Sequence, residues 1–327
     1  MVPDPSPGAN LAGDLSARIP ASIRCRLRLP LIAAPMRRVS GVELVAAACK
    51  AGVIGSFPTV NAYDPGQAGL DTWLSEMRAR IADSDGPGAP ICPNLIVRRP
   101  NVHEDLDICI NHGVEMVITS VGTPKPLMPK LRDAGIKVFA DVATLDHAKK
   151  ARDVGVDGLI LLTAGAGGQT GWLNGFAYAR AVREIFDGVI VMAGGIIDGV
   201  ALRAAEVLGC DLAYMGTKFI ATNESMAASG YRDMLVSSTI DDISLTSAFT
   251  GLPGSFLRPS IDAAGIRQAD LDEEISRQKA ATRYGSGSSG PQRWSGIWSA
   301  GHTVSGVRGI GTVQELVDRT AAEYSSL

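Results

Sequence analysis

Three stretches of this chain place glycine where a side chain would keep a ligand away. Leu161–Asn174, reading LLTAGAGGQTGWLN, is an apolar run that breaks up at Gly165, Gly167, Gly168 and Gly171, with one amide, Gln169, at its centre. Ala193-Gly194-Gly195-Ile196 and Met215-Gly216-Thr217 are the other two. Glycines at such turns let backbone N–H groups approach a phosphate, and a helix predicted to open at Asp198 adds partial positive charge. Gln169 can donate and accept hydrogen bonds, so it can orient or polarise an oxygen. It cannot carry a proton near neutral pH as an imidazole does.

The surrounding pattern says what positions these glycines. Ala51-Gly52-Val53, His112-Gly113-Val114, Ala134-Gly135-Ile136, Val154-Gly155-Val156 and Leu208-Gly209-Cys210 each read as a helix closed by a left-handed glycine and handed over to a strand. Eight apolar runs follow suit: 31–34, 53–57, 91–97, 116–119, 138–142, 158–162, 189–193 and 212–215. Near-continuous apolarity fits parallel strands covered on both faces. Between them lie helical segments, including 42–50, where Ser40 and Glu43 have the spacing of a capping box. The alternation predicts a (β/α)8 TIM barrel, with an open doubly wound sheet as the competitor. In a barrel the ligand site forms from the loops after the strands, and the last two of those loops commonly hold phosphate. The two Gly turns at 194–195 and 216 fall there, and the glycines after the sixth run leave room for something flat, such as a flavin. A dinucleotide motif fits poorly, because Gly165-x-Gly167 is followed by glycine at 171 and not at 170.

Residues 1–28 read as a tail and lead-in, 29–221 as the barrel, 222–293 as a small, mainly helical accessory region, and 294–327 as a return to the barrel. Within the accessory region 223–235 and 262–279 look helical, and Arg283–Trp294 reads as a loop too polar to pack. In the last segment Val313, Leu316, Val317 and Thr320 have helical spacing. The N-terminus lacks a basic start followed by an apolar core, and no apolar run approaches the roughly 20 residues of a membrane helix, which points to the cytoplasm. A net charge of −3 from 31 basic and 34 acidic residues offers nothing to nucleic acid. The oligomeric state is not legible. The five cysteines are scattered without a C-x-x-C pair and read as packing residues, and no cluster suggests a metal.

LIAAPM at 31–36, PNL at 93–95, AGAGGQTG at 164–171, MAGGIIDG at 192–199, YMGTKF at 214–219 and WSAGHTVSGV at 298–307 resemble, in the same order, the nitronate monooxygenase family. That family is in turn close to the FMN-dependent enoyl-acyl-carrier-protein reductases. The resemblance implies an FMN barrel acting on a small molecule. Carried over by motif, Ala34, Pro35 and Met36 line the flavin ring, Asn94 hydrogen-bonds it, and Gly167 and Gly168 cover an edge. Gly194, Gly195, Gly216 and Thr217 hold the phosphate, while Ser120 and Asp141 are candidates for the ribityl chain.

Family members known for nitronate oxidation typically have histidine where this chain has Gln169. A neutral nitroalkane needs a base to remove a proton, whereas a nitronate is already deprotonated. His302 is the alternative proton carrier, with Tyr178 behind it; His103, His112 and His147 read as surface residues, and Trp172 as a possible wall of the site. Two activities follow: oxidation of alkyl nitronates with O2, or reduction of an enone, enoyl thioester or quinone with NAD(P)H as reductant. A non-catalytic flavin carrier is a third reading.

Overall fold

The computed structural model describes residues 16–83, 86–271, 275–285, 288 and 290–326. The segment 1–15, most of the expected N-terminal tail, lies outside the described residues. Eight parallel strands close on themselves: β1 (Leu31–Ala33), β2 (Ile54–Pro58), β3 (Ile91–Ile96), β4 (Met116–Ser120), β5 (Lys137–Val142), β6 (Gly158–Leu162), β8 (Val189–Ala193) and β9 (Leu212–Met215). β9 pairs back onto β1, with Ile32 beside Tyr214. A two-residue strand, β7 (Gly168–Gln169), lies outside the barrel. The five glycines expected to close helices do so with φ of +82° at Gly52, +55° at Gly113, +70° at Gly135, +84° at Gly155 and +94° at Gly209. At these five positions the left-handed backbone that ends the helix carries no Cβ penalty.

Inside the barrel the lower layers are apolar, built from Ile32, Ile54, Cys92, Ile118, Phe139, Ile160, Val191 and Leu212. Toward the C-terminal ends of the strands the interior turns polar, with Asn94, Ser120, Asp141 and Tyr214. Hydrophobic burial thus supports the barrel from below and leaves hydrogen-bonding groups only at its mouth. The final helix, Val313–Ser325, is capped by Thr312 and Glu315 and buries Val313, Leu316, Val317 and Thr320. It packs against the helix Gly199–Val207 so closely that a Cβ on Gly199 would lie 2.3 Å from the Thr320 carbonyl. No helix among the described residues is long and apolar enough to cross a membrane.

Beyond Thr222 the structure corrects several expectations. The first helix runs Ser229–Ser237, starting well after Asn223. A hairpin follows, β10 (Ile243–Thr246) and β11 (Gly254–Leu257), so the region is not helical throughout. The stretch 262–279 is not one helix but parts of three, Arg258–Ala263, Gln268–Leu271 and Arg277–Tyr284. Gly265, at φ +68°, stops the first, and the Ser276 side chain caps the third. The polar-looking loop does pack at its ends. Trp294 stacks on Phe256 at 5.6 Å and Tyr284 meets Phe249 edge-on at 4.9 Å, forming a small second core with Ile261 and Ile297.

The expected capping box at Ser40 is absent: the cap of the helix Val42–Lys50 is Gly41, and no side chain caps it. Ser40 instead turns toward the barrel mouth, bonded to Ala34 and Met36. Glu43 pairs with Arg80 at 2.8 Å.

Candidate active site

A cavity of about 270 Å³ opens at the C-terminal ends of the barrel strands. Every residue expected at a cofactor site lines it. Ala34, Pro35 and Met36 follow β1; Ser120 ends β4, and Asn94 and Asp141 lie in the C-terminal halves of β3 and β5. Gly167, Gly168 and Gln169 follow β6, Gly194 and Gly195 follow β8, and Gly216 and Thr217 follow β9. Sequence reading missed Tyr214, Tyr231, Trp294, Ser299 and Thr303, which also line it. Tyr214 sits in the quoted YMGTKF motif and Ser299 and Thr303 in WSAGHTVSGV, whereas Tyr231 of the accessory region and Trp294 at its end are placed by contacts that no local pattern announces.

At one end the wall is main chain. Gly194 and Gly195 adopt φ of +115° and +77°, and a Cβ on Gly195 would meet nothing within 4 Å. Among the described residues the amides of Gly195, Ile196, Gly216 and Thr217 have no hydrogen-bond partner within the protein. Free amides grouped along one wall are the kind of donor an anion site uses. The helix Gly199–Val207 does not add its N-terminus, contrary to expectation. Asp198 accepts from the Ala201 amide at 2.8 Å and Glu323 from the Gly199 amide at 3.0 Å, so two carboxylates occupy that end. The Thr217 hydroxyl accepts from the Gly301 amide at 2.9 Å, tying the C-terminal loop to this wall.

The 34–40 turn is held from below. The Ser40 hydroxyl donates to the Ala34 carbonyl at 3.2 Å and accepts from the Met36 amide at 3.0 Å. Asn61, fully buried, donates to the carbonyls of Met36 and Ser40, both at 2.9 Å, and accepts from the Arg38 amide and Arg37. Arg37 in turn forks onto Asp64. Ser40→Ala leaves a buried amide and carbonyl unpaired at the same turn, and a loss of about 1–3 kcal/mol in a urea titration is expected. An unchanged midpoint would mean the turn is held by Asn61 alone.

Gln169 lies on β7, whose backbone pairs with β11 at Gly254, and the Thr170 amide donates to the Pro253 carbonyl at 3.1 Å. Its carboxamide has no hydrogen bond to the described residues. The accessory hairpin therefore fixes where this amide stands while leaving it free to bind. On the floor, the Ser120 hydroxyl donates to Asn94 Oδ1 at 2.9 Å, which leaves the Asn94 Nδ2 donor for the cavity. Asp141 carries a buried Oδ1 without a partner, and burial raises its pKa to about 7.

His302 does not join the site. Its amide donates to the Gly165 carbonyl at 2.9 Å, its ring packs over Gly165, and the residue is exposed outside the cavity. Tyr178 is turned away too, its hydroxyl donating to the Thr144 carbonyl at 2.8 Å. Trp172 is 76% exposed and walls nothing. His103 and His147 are exposed, and His112 is bonded to Asp71 at 2.8 Å. Among the described residues no imidazole lines the cavity. Four of the five cysteines are buried.

A closed parallel barrel whose mouth is lined by glycine turns and a few polar strand ends is the architecture of a TIM-barrel enzyme. Sequence comparison narrows this. The chain belongs to the nitronate monooxygenase family, whose family profile matches residues 96–323, and it is an oxidoreductase. A nitronate monooxygenase from Paraburkholderia phytofirmans is 26% identical over 275 residues, covering 72% of this chain and 75% of that protein. The (3aS,4S,5R,7aS)-5-hydroxy-7a-methyl-1-oxo-octahydro-1H-indene-4-carboxyl-CoA dehydrogenase of Rhodococcus jostii is 25% identical over 256 residues, covering 78% and 70%. Among solved structures, FabK from Thermotoga maritima superposes with a TM-score of 0.71 at 22% identity, covering 92% of this chain and 94% of that one, a likeness of fold.

Proposed function

We propose that this chain binds FMN in the barrel-mouth cavity and oxidises alkyl nitronates with O2, yielding a carbonyl compound and nitrite. The observation that carries this reading is the cavity's lack of an imidazole, combined with a free amide at Gln169. An anionic nitronate arrives without a proton to remove, so positioning and hydrogen-bond donors suffice. The residues present fit the cofactor. The free amides at 195–196 and 216–217 suit its phosphate, and the open space over Gly168 and Gly195, where a Cβ would stand, suits a bulky planar ligand. When bound, FMN supplies electron transfer between substrate and oxygen. Ala34, Pro35 and Met36 would flank its ring on a turn braced by Ser40 and Asn61, with Asn94 Nδ2 as a donor to it. Gln169 would hold a substrate oxygen.

A second reading is an NAD(P)H-dependent reductase of an enone, enoyl thioester or quinone. It is favoured by the likeness to a relative named for a carboxyl-CoA substrate. Mixing the flavin-loaded protein anaerobically with NADH or NADPH separates the two through absorbance near about 450 nm. The expected result is no rapid bleaching, and nitrite release from propionate 3-nitronate in air. Rapid bleaching without nitrite release would replace the first reading with the second.

A further inference from the structure

Two side chains on the cavity floor have nothing to hold. Asp141 on β5 and Tyr214 on β9 both line the cavity, and neither makes a hydrogen bond with the described residues. Their neighbours are engaged or inert: Ser120 bonds Asn94, Thr119 bonds the Phe139 carbonyl, and β6 presents Ile160 and Leu162. The cation lining the same cavity, Arg37, is bound by Asp64.

An ionised carboxylate at Asp141 would be desolvated and unpaired, and burial accordingly raises its pKa to about 7. The other titratable groups that sense it are Tyr214 and Cys92. Burial first pushes both well above their ordinary values, joined at Tyr214 by the Asp141 charge and at Cys92 by Cys49, Cys109 and then Asp141, so neither titrates near neutrality. Below neutral pH, Asp141 and Tyr214 are therefore both predominantly neutral O–H donors lining one cavity. A carboxylic acid kept neutral by its surroundings beside a phenol is a known way to bind an oxygen that carries or gains negative charge.

We propose that Asp141, in its protonated form, and Tyr214 form a donor pair for an electron-rich oxygen that bears no proton of its own. Two occupants have that chemistry: a ring carbonyl of the flavin, and the nitro or carbonyl oxygen of the substrate. Which of them is present rests on the FMN reading above; the donor pair itself does not.

Because the bound form needs the proton, affinity is full below the free-state pKa of about 7 and declines above it, by up to about tenfold per pH unit. The test titrates the full chain, stripped of flavin, with FMN, and the FMN-loaded chain with nitrate as a planar-anion probe, from about pH 5.5 to 8.5. One of the two affinities is expected to fall above neutrality. A fall for FMN identifies the ring carbonyl, and a fall for nitrate identifies the substrate oxygen. Asp141→Asn keeps a donor and the shape but does not titrate, so the decline disappears. The titration of the FMN phosphate itself, near a pKa of about 6, is common to both proteins and cancels in the comparison. Tyr214→Phe is expected to weaken the same affinity about two- to tenfold at acidic pH while keeping the decline.

The proposal is overturned if both wild-type affinities run parallel to those of Asp141→Asn, or if they rise above neutrality. Should that variant not fold, unchanged affinities for both probes in Tyr214→Phe overturn it equally. A chain that takes up no FMN at any pH removes the cofactor reading instead. Nitrate is then titrated calorimetrically into the colourless chain, where the same break near neutrality is expected and its absence overturns the donor pair.

Discussion

Gly195→Val is expected to yield a folded protein that no longer retains FMN, with affinity reduced at least about a hundredfold, or roughly 2.7 kcal/mol. A Cβ on Gly195 projects into space that no protein atom fills within 4 Å, which is where the phosphate would be cradled by free amides. In addition the site needs φ of +77°, a conformation costing a branched residue about 1–2 kcal/mol or more, so the variant pulls the turn out of shape even before the ligand arrives. Fluorescence titration with FMN measures the first effect and thermal unfolding the second. Retention of FMN by a well-folded variant would place the phosphate elsewhere.

Gly301→Val is expected to do the reverse: its first cost is to the protein. At Gly301 the C-terminal loop crosses the loop after β6 backbone to backbone, and a Cβ would stand 2.5 Å from the Gly165 carbonyl and 2.7 Å from the Gly167 amide. Neither contact is the end of a flexible side chain, so one loop must move. A loss of about 1–3 kcal/mol is expected by thermal unfolding. The moving loop takes with it the hydrogen bond from the Gly301 amide to Thr217, so FMN affinity drops as well. Wild-type stability in this variant would mean that the crossing has slack.

How much of this was legible in the sequence depends on the element. The barrel was, because most strands are near-continuous apolar runs and five of the eight follow a helix that ends in a glycine forced into the left-handed region. The glycine turns were also legible as cavity wall, since removing side chains leaves a readable trace. What local pattern could not say is which way a polar residue faces. Ser40 and Glu43 have capping spacing, yet Gly41 starts the helix and Ser40 braces Ala34 and Met36. His302 stands in a glycine-rich motif beside the cavity. The bond from its own amide to Gly165 fixes its ring on the outer side. The hairpin was missed because its strands are four residues each and the strand they extend has only two, too short for alternation to register.

That short pairing has a consequence for divergence within the fold. Gln169 is held in place by a segment lying more than 80 positions downstream, with Gly254 as its ladder partner. Under the proposed role of Gln169, insertions or deletions in the turn between β10 and β11 would shift the amide relative to a ligand while the barrel strands stay as they are. Under that role, grafting a foreign 243–257 segment would change what the site accepts while position 169 stays glutamine.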